Sequence, residues 1–65
     1  MDSPKPLPSH AQLRHDLANP LSAILAEAQL MLLEHPDLDP EVRRAVQTIE
    51  QMALRMRSIL REGSA

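Results

Sequence analysis

The residues best suited to chemistry lie close together, between positions 15 and 20 of this 65-residue chain. His15 is followed at once by Asp16. An imidazole attacks an electrophilic phosphorus only through a neutral nitrogen with a free lone pair that a bulky, charged donor can reach. Asp16 can approach the ring and hold a proton on Nδ1, leaving Nε2 as the nucleophile, like the orienting carboxylate of a serine-protease triad. The pair predicts nucleophilic chemistry at His15, although Asp16 alone is equally an ordinary first-turn acid of a helix.

Asn19 and Pro20 follow about one helical turn later. The amide of Asn19 could hydrogen-bond a water aligned for in-line attack on a phosphoryl group without itself titrating. The alternative is a plain solvated asparagine. Pro20 removes the hydrogen bond to the carbonyl of Asp16 and clashes with that turn, so it should bend the helix just below His15. A proline inside a helix costs about 3 kcal/mol, which makes an incidental kink the weaker alternative.

The segment His15–Leu21, read as HDLANPL, resembles the phosphoacceptor motif of sensor histidine kinases, H-[DE]-L-x-x-P-L. All five specified positions of this seven-residue form match, and the following Ser22-Ala23-Ile24 also fits the family. This motif outweighs the alternative that His15 is merely a solvated surface residue. The resemblance covers about residues 9–62, but its specific motif is confined to residues 15–21.

The resemblance implies a role for each matched residue. Phosphohistidine would form at Nε2 of His15, and Asp16 would act as general base. Asn19 would act when a kinase of this type dephosphorylates its response regulator. Pro20 would be the hinge at which active kinases bend asymmetrically.

Two helices are predicted to position these residues. Ser9, with Gln12 three residues later, gives a capping-box signature for a first helix over 9–34. Pro36 ends that helix, because the residue before a proline is pushed out of the α region. In the second helix, over 40–62, Asp39 is a good N-cap and Pro40 occupies the first helical position. Residues 35–39 form the loop between them.

The ends of the chain are predicted to lie outside the helices. Residues 1–8 read as a disordered lead-in and residues 63–65 as a tail, with Gly63 available to end the second helix. Arg55, Arg57 and Arg61 lie close to that end, where they favour the negative pole of the helix dipole. The dipole is a sufficient structural reason for these three arginines.

Each helix carries a stripe of apolar residues at helical spacing. The stripe of the first helix contains Leu13, Leu17, Leu21, Ile24, Ala28 and Met31, and that of the second contains Val42, Ala45, Val46, Ile49, Met52, Ala53, Met56, Ile59 and Leu60. At about 100° per residue, the first stripe centres near Leu17 and Ile24, and His15 lies about 160° away from that centre and points into solvent. The short loop makes the helices antiparallel, so we expect an all-α helical hairpin with one exposed apolar flank on each arm. Two hairpins would then pack as a homodimeric four-helix bundle, because a 65-residue monomer buries little apolar surface.

Composition excludes several other classes of protein. The net charge of −2 does not suggest a nucleic-acid partner. No cysteine is present, and the longest apolar run, Leu30–Leu33, is far too short to cross a bilayer. We therefore expect a cytoplasmic protein with no membrane partner and no cofactor. A metal site built from His10, His15, Asp16 and His35 is disfavoured, because these side chains do not converge on a helical hairpin.

The resemblance also implies partners. It predicts a response-regulator receiver domain, as in a phosphorelay, and an ATP-binding kinase domain acting in cis or in trans. Kinases of this family bind ATP through a separate α/β domain with glycine-rich motifs, whereas this chain has one glycine. The chain alone is therefore not expected to autophosphorylate, and it is either part of a longer kinase or a stand-alone phosphotransfer protein. The alternative from another class is a dimerisation or adaptor module without chemistry, which would not need His, Asp and Asn together.

A docking face for the receiver domain is predicted beside His15. Ala18, Ala26, Leu30 and Leu33 leave the first stripe on the side of His15, and Leu54 leaves the second stripe. Small alanines would permit a close approach, and Leu54, near the level of Asn19 and Pro20, would supply an apolar anchor. Scattered exposed leucines are ordinary on protein surfaces, which is the alternative interpretation.

Overall fold

The computed structural model describes residues 9–62, which form two α-helices, α1 (His10–Glu34) and α2 (Pro40–Glu62), joined by residues 35–39. The helices pack against each other as an antiparallel hairpin, and no strand occurs within this part of the chain. The predicted all-α hairpin is therefore confirmed. The predicted lead-in at 1–8, the tail at 63–65 and the helix-ending role of Gly63 lie outside the described residues.

Helix α1 begins at a cap that the sequence predicts. The hydroxyl of Ser9 accepts a hydrogen bond of 3.0 Å from the backbone N–H of Gln12, and its carbonyl accepts one of 2.8 Å from Leu13. These bonds satisfy N–H groups that have no partner within the helix. At the other end, the N–H of His35 still donates to the carbonyl of Met31 at 3.1 Å, and Pro36 prevents a further turn.

The start of α2 is fixed in the same way. Asp39 Oδ1 accepts a hydrogen bond of 2.9 Å from the N–H of Glu41, while Pro40 occupies the first helical position. The guanidinium group of Arg43 donates back to the carbonyl of Pro36. These bonds tie residues 36–39 of the loop to the first turn of α2.

The contact between the helices is made by part of the predicted stripes together with Leu25 and Leu54, which lie outside them. Leu21, Leu25, Ala28 and Ala53 are buried, and Leu54 and Leu60 are half-buried against them. The centre of the buried face of α1 therefore lies near Leu21 and Leu25, rather than near Leu17 and Ile24 as the sequence suggested. The physical reason is that the apolar sector of α1 is wider than one neighbouring helix can cover.

The remaining large apolar residues form a second, exposed surface that we call the apolar flank. Its nine side chains are each 42–55% exposed: Leu13, Leu17, Ile24 and Met31 of α1, and Val42, Ile49, Met52, Met56 and Ile59 of α2. Residues of the two helices meet on this side, since Leu17 and Ile24 line one groove with Met56 and Ile59. The apolar flank is therefore a continuous surface of the hairpin.

Within residues 9–62, neither helix combines the length and the apolar character that a membrane span requires.

Candidate functional site

His15 lies in the second turn of α1, on the side of the hairpin away from the apolar flank. Its side chain is 72% exposed, and its Nδ1 lies 3.7 Å from Oδ1 of Asp16. That distance is longer than an N–H···O hydrogen bond, and catalytic bonds of this kind often shorten only when the substrate is present. Because Nδ1 is the ring nitrogen nearest the carboxylate, Nε2 is the nitrogen that remains for a reaction partner.

Gln12 belongs to the same arrangement, although the sequence suggested only a capping role for it. Its side-chain amide donates a hydrogen bond of 3.0 Å to Oδ1 of Asp16, the same oxygen that faces His15. Only the Ser9 half of the predicted capping box is therefore formed within residues 9–62. The spacing of four residues between Gln12 and Asp16, typical of side-chain pairs along a helix, was the pattern that could have revealed this contact.

Asn19 and Pro20 occupy the next turn of α1. Asn19 is exposed, and helical spacing sets it on the same outward side as His15. Helix α1 continues through Pro20 without interruption, and this proline lines the groove of the apolar flank with Leu17 and Met56. A proline cannot donate to the carbonyl of Asp16, so the turn below His15 lacks one backbone hydrogen bond.

A groove between the two helices opens beside His15. It has a volume of about 480 Å³ and contains three arginines. Its lining consists of Arg14, His15, Ala18 and Ser22 of α1 with Arg57, Leu60 and Arg61 of α2. We call this surface the basic groove. The sequence explained Arg57 and Arg61 by the helix dipole alone, and only the packing of α2 against α1 brings them to the level of His15.

The five candidate docking residues do not all lie together. Leu33 is 79% exposed and lies at the loop end of α1. Ala18 is half-buried and lines the basic groove, while Ala26 is exposed. Leu30 is exposed and lies toward the loop end of the hairpin, in a groove that includes His35. Leu54 is half-buried and packs against the core of Leu21, Leu25 and Ala53, so only its exposed part is available as the predicted anchor.

The histidines other than His15 lie at the two ends of α1. His10 is its first residue, and His35 follows its last. Between residues 9 and 62, no group of three or more histidine, aspartate or glutamate side chains is arranged to hold a metal ion.

Comparison with known proteins identifies the family. The chain matches the model of the His Kinase A (phospho-acceptor) domain over residues 11–62, which includes nearly all of both helices and the whole of His15–Leu21. No match was found among curated proteins or among solved structures. Because the match spans most of the sequence, the chain belongs to the His Kinase A (phospho-acceptor) domain family and is a phosphoacceptor module of the two-component type.

Proposed function

We propose that the chain acts as a homodimer that receives a phosphoryl group on Nε2 of His15 and passes it to an aspartate of a response-regulator receiver domain. The observation that carries this proposal is the exposed His15, with Nδ1 facing Asp16 at 3.7 Å, inside the family's phosphoacceptor domain. An ATP-binding kinase domain, in cis or in trans, supplies the nucleotide as a substrate. The proposed site of action is the cytoplasm, where nucleotide and receiver domain would both be available.

The proposed chemistry consists of two transfers. In the first, the lone pair of Nε2 attacks the γ-phosphorus of ATP, a nitrogen–phosphorus bond forms, and the bond to the departing ADP oxygen breaks. The proton on Nδ1 then passes to Asp16 or to water. In the second transfer, Nδ1 takes back a proton from Asp16 or water and a carboxylate oxygen of the receiver attacks the phosphorus. The nitrogen–phosphorus bond breaks, and its electron pair returns to Nε2, which regenerates the neutral imidazole.

Asp16 and Gln12 act in this proposal as an orienting pair. The carboxylate stabilises the tautomer with hydrogen on Nδ1, which keeps Nε2 unprotonated. The amide of Gln12, 3.0 Å from Oδ1 of Asp16, restricts the rotation of that carboxylate. Gln12 is thus a positioning residue that acts through Asp16.

Asn19 and Pro20 have proposed roles around the same histidine. Asn19, which does not titrate, would align a water for attack on the phosphorylated receiver and so support dephosphorylation. Pro20 would serve as a hinge, because the turn it occupies lacks the hydrogen bond to Asp16. Ala18, Ala26, Leu30 and Leu54 remain candidates for contact with the receiver, with Leu54 contributing through its exposed part.

The apolar flank supports the homodimer. Nine large apolar side chains along one surface exceed what a monomeric soluble protein of this size usually leaves to water. Each such side chain contributes about 1.5–3 kcal/mol when it passes from full exposure to full burial. Packing two flanks face to face would bury them in a four-helix bundle, the usual solution for helical hairpins.

Labelling in trans tests the proposed function. The chain is incubated with radiolabelled ATP and the ATP-binding domain of a histidine kinase, and acid-labile label on the chain is counted. We expect label on the wild type and on the control variants His10→Gln and His35→Gln, and none on His15→Gln. Label retained by His15→Gln, or lost from His10→Gln, contradicts the assignment. A wild type that dimerises but takes no label from any donor domain supports the adaptor function instead.

A further inference from the structure

Half of the six arginines in the chain line the groove that also contains His15. Arg14 comes from α1, and Arg57 and Arg61 come from α2. Arg14 and Arg57 are 43 residues apart in sequence, so the cluster exists only because the hairpin folds. The cluster is positively charged. It lies next to His15, on the side of the hairpin away from the apolar flank.

The stability of the fold gives no reason for an arginine at position 14. It is half-buried and continues the spacing of Ala18, Leu21, Leu25 and Ala28, which face α2. An apolar residue there would extend the core, whereas a guanidinium group brings a charge into the contact. The helix dipole offers no reason for it, since cations are favoured at the other end of a helix.

Arginines at neighbouring positions also repel each other. Among residues 9–62, no carboxylate forms an ion pair with Arg14 or Arg57. Asp16, the acidic residue nearest in sequence, is engaged with His15 and Gln12. At Arg14 and Arg57 the sequence thus places charges that no ion pair in the described part of the chain compensates, which is typical of functional sites. An anion bound in the groove would remove the repulsion.

We propose that the basic groove binds the phosphoryl group of His15. The guanidinium groups of Arg14, Arg57 and Arg61 would donate to the non-bridging oxygens of phosphorus while the group is attached to Nε2 and while it is transferred. Guanidinium groups donate two parallel hydrogen bonds to phosphate oxygens, and stabilising the charge on those oxygens is the main part of catalysing phosphoryl transfer. This inference rests on the proposed function, because it assigns further residues to the same site.

The rest of the groove suits such a ligand. Ala18 and Ser22 are small, which leaves room for phosphate oxygens, and the hydroxyl of Ser22 is a further donor. One hairpin supplies every residue of this lining. The arginines form no covalent bond with the phosphoryl group. The bonds formed and broken and the proton movements are those of the two transfers at His15.

Two measurements on the full chain test the proposal. The first titrates inorganic phosphate and follows the side-chain N–H resonances of the arginines by NMR. We expect saturable shifts for Arg14 and Arg57 in the wild type and in His15→Gln, weaker binding in Arg57→Lys, and the weakest in Arg57→Gln. The matched control is Arg55→Gln, which changes an exposed arginine of the same helix that does not line the groove.

The second measurement is the initial rate of labelling in trans. We expect Arg57→Gln and Arg61→Gln each to slow it roughly 10-fold, as for the loss of a hydrogen bond to a charged group, and Arg55→Gln to leave it unchanged. Circular dichroism verifies that each variant keeps its helicity. Phosphate shifts absent from the wild type, or labelling rates equal in Arg57→Gln and Arg55→Gln, overturn the proposal. Because phosphate binding is measured without any transfer, binding by a chain that never becomes labelled would contradict the phosphoacceptor function and leave the anion site standing.

Discussion

The two sides of the hairpin differ in polarity and in charge. The apolar flank contains nine large hydrophobic side chains drawn from both helices, whereas the basic groove contains a nucleophile and three arginines. In helix α2, the apolar and the polar residues lie on separate faces, and each face belongs to one of these two sides. Helix α1 carries apolar residues around more of its circumference, because Ala26, Leu30 and Leu33 lie outside both the apolar flank and the contact with α2. The difference teaches that the proposed association and the proposed chemistry use largely separate surfaces, which meet at Arg14 beside Leu13 and Leu17. Most residues of one surface can therefore be changed without altering the other.

The largest effect is expected from charge placed on the apolar flank. Ile49→Glu combined with Met56→Glu puts two carboxylates where the proposed dimer buries apolar atoms, and burying an unpaired charge is strongly unfavourable. Light scattering at micromolar concentration should give about 7.3 kDa, the mass of one chain, instead of twice that value for the wild type. Leu33→Glu is the control, because Leu33 is 79% exposed and lies outside the flank. A wild type that is a well-folded monomer at this concentration would contradict the proposed dimer through the apolar flank.

The next effect concerns the other side of the hairpin. Asp16→Asn removes the carboxylate that faces Nδ1 of His15, and general-base groups contribute on the order of 10²- to 10⁴-fold. The initial rate of labelling in trans should fall by about 10²-fold or more, while the dimer mass stays the same. Asp37→Asn, in the loop, is the matched control. A rate equal to that of the wild type would mean that Asp16 is an ordinary surface acid.

A smaller and more selective effect is expected at Asn19. Asn19→Ala should leave the labelling of His15 largely intact and weaken dephosphorylation of the receiver by about 10-fold, since one hydrogen bond to the attacking water is lost. Both rates are measured on the same preparation. If they fall together and equally, the asparagine maintains local structure and has no selective part in dephosphorylation.

The smallest effect is expected from Gln12→Ala. Alanine keeps the helix, and the lost bond to Asp16 is exposed, so labelling should slow only about 2- to 10-fold. In the Asp16→Asn background, the same change should have less effect, because the carboxylate through which Gln12 acts is gone. Independent, additive effects of the two substitutions would refute the orienting pair.

Local sequence patterns predicted the elements of the fold well. The caps at Ser9 and Asp39 and the prolines at 36 and 40 specify where helices begin and end through hydrogen bonds that involve only a few neighbouring residues. The motif from His15 to Leu21 likewise needs no tertiary information. The predicted helices at 9–34 and 40–62 accordingly differ little from His10–Glu34 and Pro40–Glu62.

The rotation of each helix about its own axis was not predictable in the same way. A wide apolar sector does not tell which of its edges faces the other helix. The sequence therefore predicts a centre near Leu17, whereas the buried face centres near Leu21 and Leu25. The same uncertainty in phase left Leu54 outside the core. It also concealed the basic groove, because the arginines of α2 reach His15 only when both rotations are known. With Leu54 half-buried, a charge at that position is expected to destabilise the hairpin as well as any docking.

The loop fastens the hairpin at one end only, and His15 lies toward the other end. Twenty residues separate His15 from His35, which corresponds to about 30 Å along α1. The arms of the hairpin therefore behave as a pair of levers. If the crossing angle changes by about 5° near the loop, the helices move relative to each other by roughly 2–3 Å at the level of His15, given the rise of about 1.5 Å per residue. By the same geometry, the displacement at Ala28, seven residues from His35, is only about 1 Å. A displacement of about 2–3 Å is comparable with the length of a hydrogen bond, so a rotation of this size would change whether the proposed contact of Arg57 with a phosphoryl oxygen can form.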